Sequence, residues 1–392
     1  MLLSRVDKRG PRGAQLRPGA ERPECEKGWQ RDMAVRTATP VTGWLLRGSD
    51  GRLTAYAPAE GGVARWTETR PGGPEWTGPE LLPAPGLDPH LSIAQNAQGY
   101  VYLVGVRRRE VPSDAGDWIA TEVVYATQLQ SGRPVTNWRS IGTPHGQDWD
   151  RAAQVGAPTA VVDSVGLHVF VRNAGGGVCG RHMDARGIWG PWTDLKGSHV
   201  LDGMTAAATS TGRVELLAPA AEFVLRWQQD EPGGPLRRVR NTPAKPAAAT
   251  ATAVATGDDR ITHFWREAAD SALHTVLPPV GAADDEPVSA SLGAVGTGPA
   301  AALRTPLDGL DCTVLAQRSA SGVPAVAVFP TGDEPAGGQW SETGEDFAGA
   351  PALALDALGR VTLAVLGADG HLRVARQRMS EPGLALGDWV RV

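Results

Sequence analysis

The chain has 392 residues, of which 41% are hydrophobic and 21% charged, with a formal net charge of -5; this supplies apolar surface for a large core and excludes a disordered chain. The absence of a global positive field argues against nucleic acid as a partner, because phosphates are attracted by a basic face. No segment offers the roughly twenty uninterrupted apolar residues that cross a bilayer, and Cys25, Cys179 and Cys312 lie far apart without CxxC spacing, so neither a disulfide framework nor a zinc site is expected.

Residues 1–38 read as a disordered extension, rich in Arg, Pro and Glu, with no alternating apolar pattern until about Thr39. It lacks the apolar stretch of a secretory signal, which sets the expected location as cytoplasmic. Met33 offers an alternative start, in which case residues 1–32 are an upstream extension.

From residue 39 to 392 one unit recurs: a Gly or Asp turn that opens a short apolar run, the pattern of a strand entered from a tight turn. The seven copies are GRLTAYA from Gly51, GYVYLVG from Gly99, GLHVFVR from Gly166, GRVELLA from Gly212, DRITHFW from Asp259, GLDCTVL from Gly309 and GRVTLAVLG from Gly359. Each is preceded by a strand of small residues, such as PTAVVDSV or PALALDAL, and followed by a third strand, such as GGVARWTE or GGVCGRHM. A fourth strand, often opened by Trp, follows as EWTGPELL, NWRSIG, IWGPWTDL, QWSETG and DWVRV, whereas LRRVRN and VSASLG fill that place without Trp in copies four and five. Four strands per repeat and seven repeats predict an all-β, seven-bladed β-propeller of four-stranded antiparallel blades, with the small-residue strand innermost. The third copy starts 67 residues after the second, where the other intervals run from 46 to 50. An insertion over residues 107–122, between the second and third strands of blade two, is the expected cause, and a long loop over residues 143–154 leads into blade three.

The stretch GLHVFVRNAGGGVCGRHMDARGIWGPWTDLKG, residues 166–197, and then GRLTAYAPAEGGVARWTETRPGGPEWTGPELL, residues 51–82, resemble the repeats of the seven-bladed lectin-like propellers called PLL-like. The resemblance spans about Thr39 to Val392. It implies carbohydrate binding in shallow pockets between neighbouring blades, with an incomplete set of pockets because blades four to six depart from the pattern.

Candidate ligand residues are those that break the repeat or combine polar groups with an aromatic. Trp recurring once per blade reads as packing between blades, so the extra Trp149 and Trp192 are the ligand candidates. Asp148, Trp149 and Asp150 join an indole to acceptors in the 143–154 loop. Arg172 and Asn173 precede Gly175, Gly176 and Gly177, a combination that fits either a polar ligand approaching the backbone or a hairpin turn, the turn being favoured. Arg107, in the run Arg107–Arg109, suits an anionic group or a solvated loop. Asp50, Asp163 and Asp356 follow first strands, as glycosidase carboxylates do, but sit just before the repeat Gly, where Asp caps a turn. His168 and His182 fall on successive strands, and no metal-ligand motif is present.

The sequence thus predicts a non-catalytic lectin-like module binding a carbohydrate or small polar ligand, with a protein interaction scaffold and an enzyme at the channel mouth as alternatives. It implies no cofactor, no metal, no nucleic acid and no membrane, and it places the site on the sector of blades two and three.

Overall fold

A computed structural model describes residues 42–112, 118–277, 288–336 and 338–392. The extension expected over residues 1–38, with Met33, lies outside the described residues. The body is built from four-stranded antiparallel meanders, as the seven copies predict. Blade one uses Leu45–Arg47, Leu53–Ala59, Gly62–Glu68 and Trp76–Pro83; blade three uses Thr159–Val162, Leu167–Arg172, Val178–Met183 and Thr193–Lys196. Blade four uses Thr205–Ala208, Val214–Pro219, Phe223–Gln229 and Leu236–Arg238, and blade seven uses Phe347–Leu355, Val361–Gly367, Leu372–Arg376 and Val390–Arg391. Blades five and six share one strand, Val288–Leu307, which pairs first with Ala272–Leu277 and then, past an irregularity at Thr297–Ala301, with Leu310–Ser319.

Alternation along each blade puts one set of apolar side chains on each sheet face, and these sets meet in seven clusters, one for each seam of the ring. Val169 and Val171 of blade three pack with Val104 and Val123 of blade two, whereas Phe170 packs with Leu216 and Trp227 of blade four. The fourth-strand indoles lie in the seam with the preceding blade: Trp76 against blade seven, Trp138 against blade one, Trp189 and Trp192 against blade two, Trp340 against blade five and Trp389 against blade six. Blade four has Leu236 in that role.

The ring closes by packing, without exchange of strands, where Trp44 and Trp66 of blade one meet Ala352 and Val374 of blade seven. Hydrogen bonds fasten the same seam: Arg376 donates to Glu68 at 2.8 Å, Arg360 to the Gly72 carbonyl at 2.7 Å, and Trp44 to the Ala350 carbonyl at 3.1 Å.

The insertion expected in blade two takes a different form. Its second and third strands, Val101–Val111 and Trp118–Gln128, run on in register from Val101↔Gln128 to Val111↔Trp118, so the extra residues lengthen a hairpin. The reason is cross-strand pairing of opposite charges: Arg107 faces Glu122 at 2.8 Å, and Arg109 reaches the same carboxylate at 3.5 Å. Residues 113–117, at its tip, lie outside the described residues.

Candidate functional site

The up-and-down path of each blade divides its connections between two rims. Turns joining strands one to two and three to four lie on one rim; turns joining strands two to three, and the links between blades, lie on the other. On the first rim, between blades three and four, a cleft of about 330 Å³ opens, within the range of small-ligand sites. Phe170, Gly180, His168 and His182 form its blade three wall, with Pro191 before the fourth strand and Thr193 and Leu195 on it; Gln229, Gly233, Gly234, Pro235 and Leu236 come from blade four.

Strand register explains this wall. His168 lies directly opposite His182, and Phe170 opposite Gly180, so all four project from the same sheet face, toward blade four. In blade one the corresponding pairs are Thr54 with Thr67 and Tyr56 with Arg65. There the Arg65 side chain is only 1% exposed and crosses the seam to the Arg133 carbonyl of blade two at 2.5 Å, while the Tyr56 hydroxyl donates to Gln128. Beside these side chains only a void of about 10 Å³ is left, bordered by Thr54, Tyr56 and Gln128; a separate hollow of about 410 Å³ lies at the first-strand turns of the two blades, lined by Gly48, Ser49, Gln95 and Asn96. Blade three puts Gly180 where blade one has Arg65, and a Cβ there would stand 3.0 Å from the Phe170 ring. The missing side chain, together with Leu236 and Pro235 where other blades carry Trp, leaves the seam open.

One end of the cleft is ionisable. The turn after the first strand of blade three is capped by Asp163, whose Oδ1 accepts the backbone N–H groups of Val165 and Gly166, both at 2.7 Å. Its Oδ2 lies 2.8 Å from His168 Nε2, and the carboxylate is fully buried. His182 stacks on His168 with centroids 4.3 Å apart and planes tilted by 26°. Burial acts to raise the Asp163 carboxyl, but the His168 hydrogen bond and charge, with the two backbone N–H groups, outweigh it and hold it below the usual carboxylate range. Burial pushes the His182 imidazole below its ordinary value, and neighbouring His168 adds to this. Among the described residues His182 Nε2 has no hydrogen-bond partner. The other end of the cleft is apolar, with Leu195, Pro235 and Leu236 as its surface over the buried Phe170. An apolar face beside a cluster of nitrogen and oxygen atoms suits a small polar ligand with one hydrocarbon side.

The residues singled out from sequence lie elsewhere, mostly on the opposite rim. Asp148 caps the short helix Trp149–Ala152, its Oδ1 accepting the Arg151 N–H at 3.1 Å, and Asp150 is exposed. Trp149 is 39% exposed and lies against Trp118 at the end of the long hairpin, ring centroids 4.2 Å apart. Arg107 pairs with Glu122, while Arg108 bonds Asp88 at 2.8 Å and ties the hairpin to this loop through the Ala153 carbonyl at 2.8 Å. Arg172 pairs with Asp202 at 3.1 Å. The Asn173 side chain accepts the N–H groups of Gly175 and Gly177 at 2.9 and 3.0 Å, which is the hairpin-turn arrangement; His145 accepts the adjacent Ala174 N–H at 3.1 Å, joining the loop to that turn. Trp192 donates to the Ile141 carbonyl at 3.2 Å in the seam with blade two. Asp148, Trp149 and Asp150 therefore stand together, Asn173 adjoins them through His145, and Trp192 is separate. Asp50 and Asp356 bond to backbone N–H groups of their own turns, as Asp163 does.

Sequence reasoning passed over Gly180 and kept Asp163, His168 and His182 apart. The motif reading expects no metal-ligand set, yet these three bring their ligand atoms within 4.8 Å of one another. The signal was a count along one hairpin: stepping outward equally from Gly175 pairs Phe170 with Gly180 and His168 with His182.

No family model matches the sequence, and no curated protein sequence matches it. Among solved structures, the chain is similar to a protein from Lactobacillus plantarum at 17% identity and a TM-score of 0.54, covering 86% of this chain and 95% of that one; this likeness bears on the fold alone. SapL1 lectin in complex with alpha methyl fucoside matches at 12% identity, 77% and 94% coverage and a TM-score of 0.46. NanB sialidase from Streptococcus pneumoniae matches at 12% identity and a TM-score of 0.48, covering 86% of this chain and only 66% of that chain's length. At TM-scores below 0.5 these two carry no argument about function. What the topology and the seven seams establish is an all-β propeller of seven antiparallel blades, with a cleft between blades three and four among the described residues.

Proposed function

We propose that the protein is a non-catalytic binding module whose ligand, a monosaccharide or a comparably small polyhydroxylated molecule, enters the cleft between blades three and four. The observation that carries this reading is the open seam of about 330 Å³ at Gly180, where the register-equivalent Arg65 fills the seam between blades one and two. Leu195, Pro235 and Leu236 offer the hydrocarbon face of a sugar a surface, and His182 and Thr193 offer its hydroxyls partners. The repeat resemblance to lectin-like propellers supports the same ligand class. A glycan panel followed by titration calorimetry tests it: the wild-type protein is expected to bind a restricted set of monosaccharides, and Gly180→Arg to weaken that binding about a hundredfold. No binding to any glycan, or equal binding by both proteins, defeats the reading.

A second reading rests on the Trp118–Trp149 pair. Trp149 is exposed beside Asp148 and Asp150, an aromatic surface with acceptors at its edge that suits a protein partner or a sugar face. Under that reading Trp149→Ala, and not Gly180→Arg, removes binding.

A further inference from the structure

The ionisable end of the cleft has a counterpart in blade seven that shows what blade three has changed. Asp356 follows the first strand there as Asp163 does here, and both carboxylates are fully buried. In blade seven two guanidinium groups meet that charge: Arg360 donates to Asp356 Oδ2 at 2.7 Å, and Arg376 Nε lies 3.8 Å from it. Arg360 stands immediately before the second strand, where blade three has Gly166, and Arg376 pairs across to Thr362 as His182 pairs to His168. Blade three has therefore lost both permanent cations and gained two imidazoles around a carboxylate that is still buried. A buried carboxylate needs a compensating positive charge, and two imidazoles with one carboxylate form a familiar donor set for a divalent metal.

We propose that Asp163, His168 and His182 bind one divalent transition-metal ion of the zinc type at the wall of this cleft. Their donor atoms already lie within 4.8 Å of one another, and a tetrahedral ion at about 2.1 Å from each would draw them to about 3.4 Å. Backbone N–H groups of Val165 and Gly166 fix Asp163 Oδ1, which leaves Oδ2 directed at the imidazoles, as supporting hydrogen bonds do for metal-binding carboxylates. His182 Nε2 is a buried nitrogen without a hydrogen-bond partner among the described residues, and coordination would satisfy it. Three protein ligands leave a coordination position for water or a ligand atom, and His168 and His182 both line the cleft.

The full chain, purified without a polyhistidine tag and stripped with chelator, is titrated with Zn²⁺ by equilibrium dialysis and calorimetry. About one ion per chain is expected, with affinity falling about a hundredfold in His168→Ala and in His182→Ala. Loading Co²⁺ into the same site is expected to give a visible d–d absorption band that both variants lose. Because His182 Nε2 holds no hydrogen bond and its ring stacks on His168, His182→Ala is the variant expected to stay closer to the wild-type melting temperature than His168→Ala, which also removes the partner of Asp163. Absence of Zn²⁺ uptake by the wild-type chain, or uptake unchanged in both variants, overturns the proposal. Metal binding does not depend on the sugar reading: Gly180→Arg fills the cleft but leaves the three donors in place, so it is expected to keep its Zn²⁺.

Discussion

The seams on either side of the ring, blade one against blade two and blade three against blade four, are built on the same register and differ in what crosses them. In the first, Arg65 and Tyr56 reach over and bond to blade two, leaving about 10 Å³ beside Tyr56 and Gln128; in the second, Gly180 and Phe170 stand at the same places and about 330 Å³ remains. A repeat fold supplies many equivalent seams, and a seam whose filling side chain is absent keeps an open cleft. Function in such a ring is written in the repeat that lacks a residue as much as in the one that adds one.

Substitutions that exchange the two seams sharpen this contrast. The largest stability effect is expected from Arg65→Gly, which opens the first seam and strips Glu80 and the Arg133 carbonyl of their partner; a loss of about 3 kcal/mol in denaturant unfolding is expected, with no new sugar affinity, because Thr54 and Thr67 stand where blade three has His168 and His182. Next comes Trp192→Ala. Its indole packs in the seam with blade two and bonds to the Ile141 carbonyl, so unfolding should report a loss of about 2 kcal/mol while ligand affinity stays at the wild-type value. A change in affinity with unchanged stability would instead return Trp192 to the ligand site.

Phe170→Tyr restores the hydroxyl of blade one and narrows the open seam. Calorimetry is expected to show about a tenfold weaker ligand at a stability cost below about 1 kcal/mol. The smallest effect is one of pH. Burial holds the imidazoles of His90 and His263 below their ordinary value, against the opposing pull of the Pro158 carbonyl on His90 and of Glu215 on His263. Their folded values thus lie below the unfolded one near pH 6.5, and the unfolded chain binds more protons between the two. Stability is full above about pH 6.5 and declines as pH falls through that value. Melting temperatures measured from pH 8 to pH 5 should show the decline, and His263→Gln should flatten it.

The propeller was legible because its determinants are local and recur: a turn, a short apolar run and small residues before it, seven times over. The open seam was not, although its residues stood in plain sight. His168, Phe170, Gly180 and His182 are ordered by one hairpin, and their pairing follows from counting, but which neighbouring blade they face depends on the twist and packing of the ring. The loss of Trp from the fourth strand of blade four was visible and suggested a missing pocket; in the structure Gly233, Gly234, Pro235 and Leu236, at and just before that strand, border the cleft. The run Arg107–Arg109 looked like a charged loop because Glu122, its cross-strand partner, is separated from it by the length of the hairpin.

A crystal soaked in the best-binding monosaccharide tests the central claim directly. The account predicts density for the sugar in the cleft bounded by Phe170, Gly180, His182 and Leu236, with the seam between blades one and two empty. Sugar bound equally around the ring, or only against Trp118 and Trp149, would contradict it.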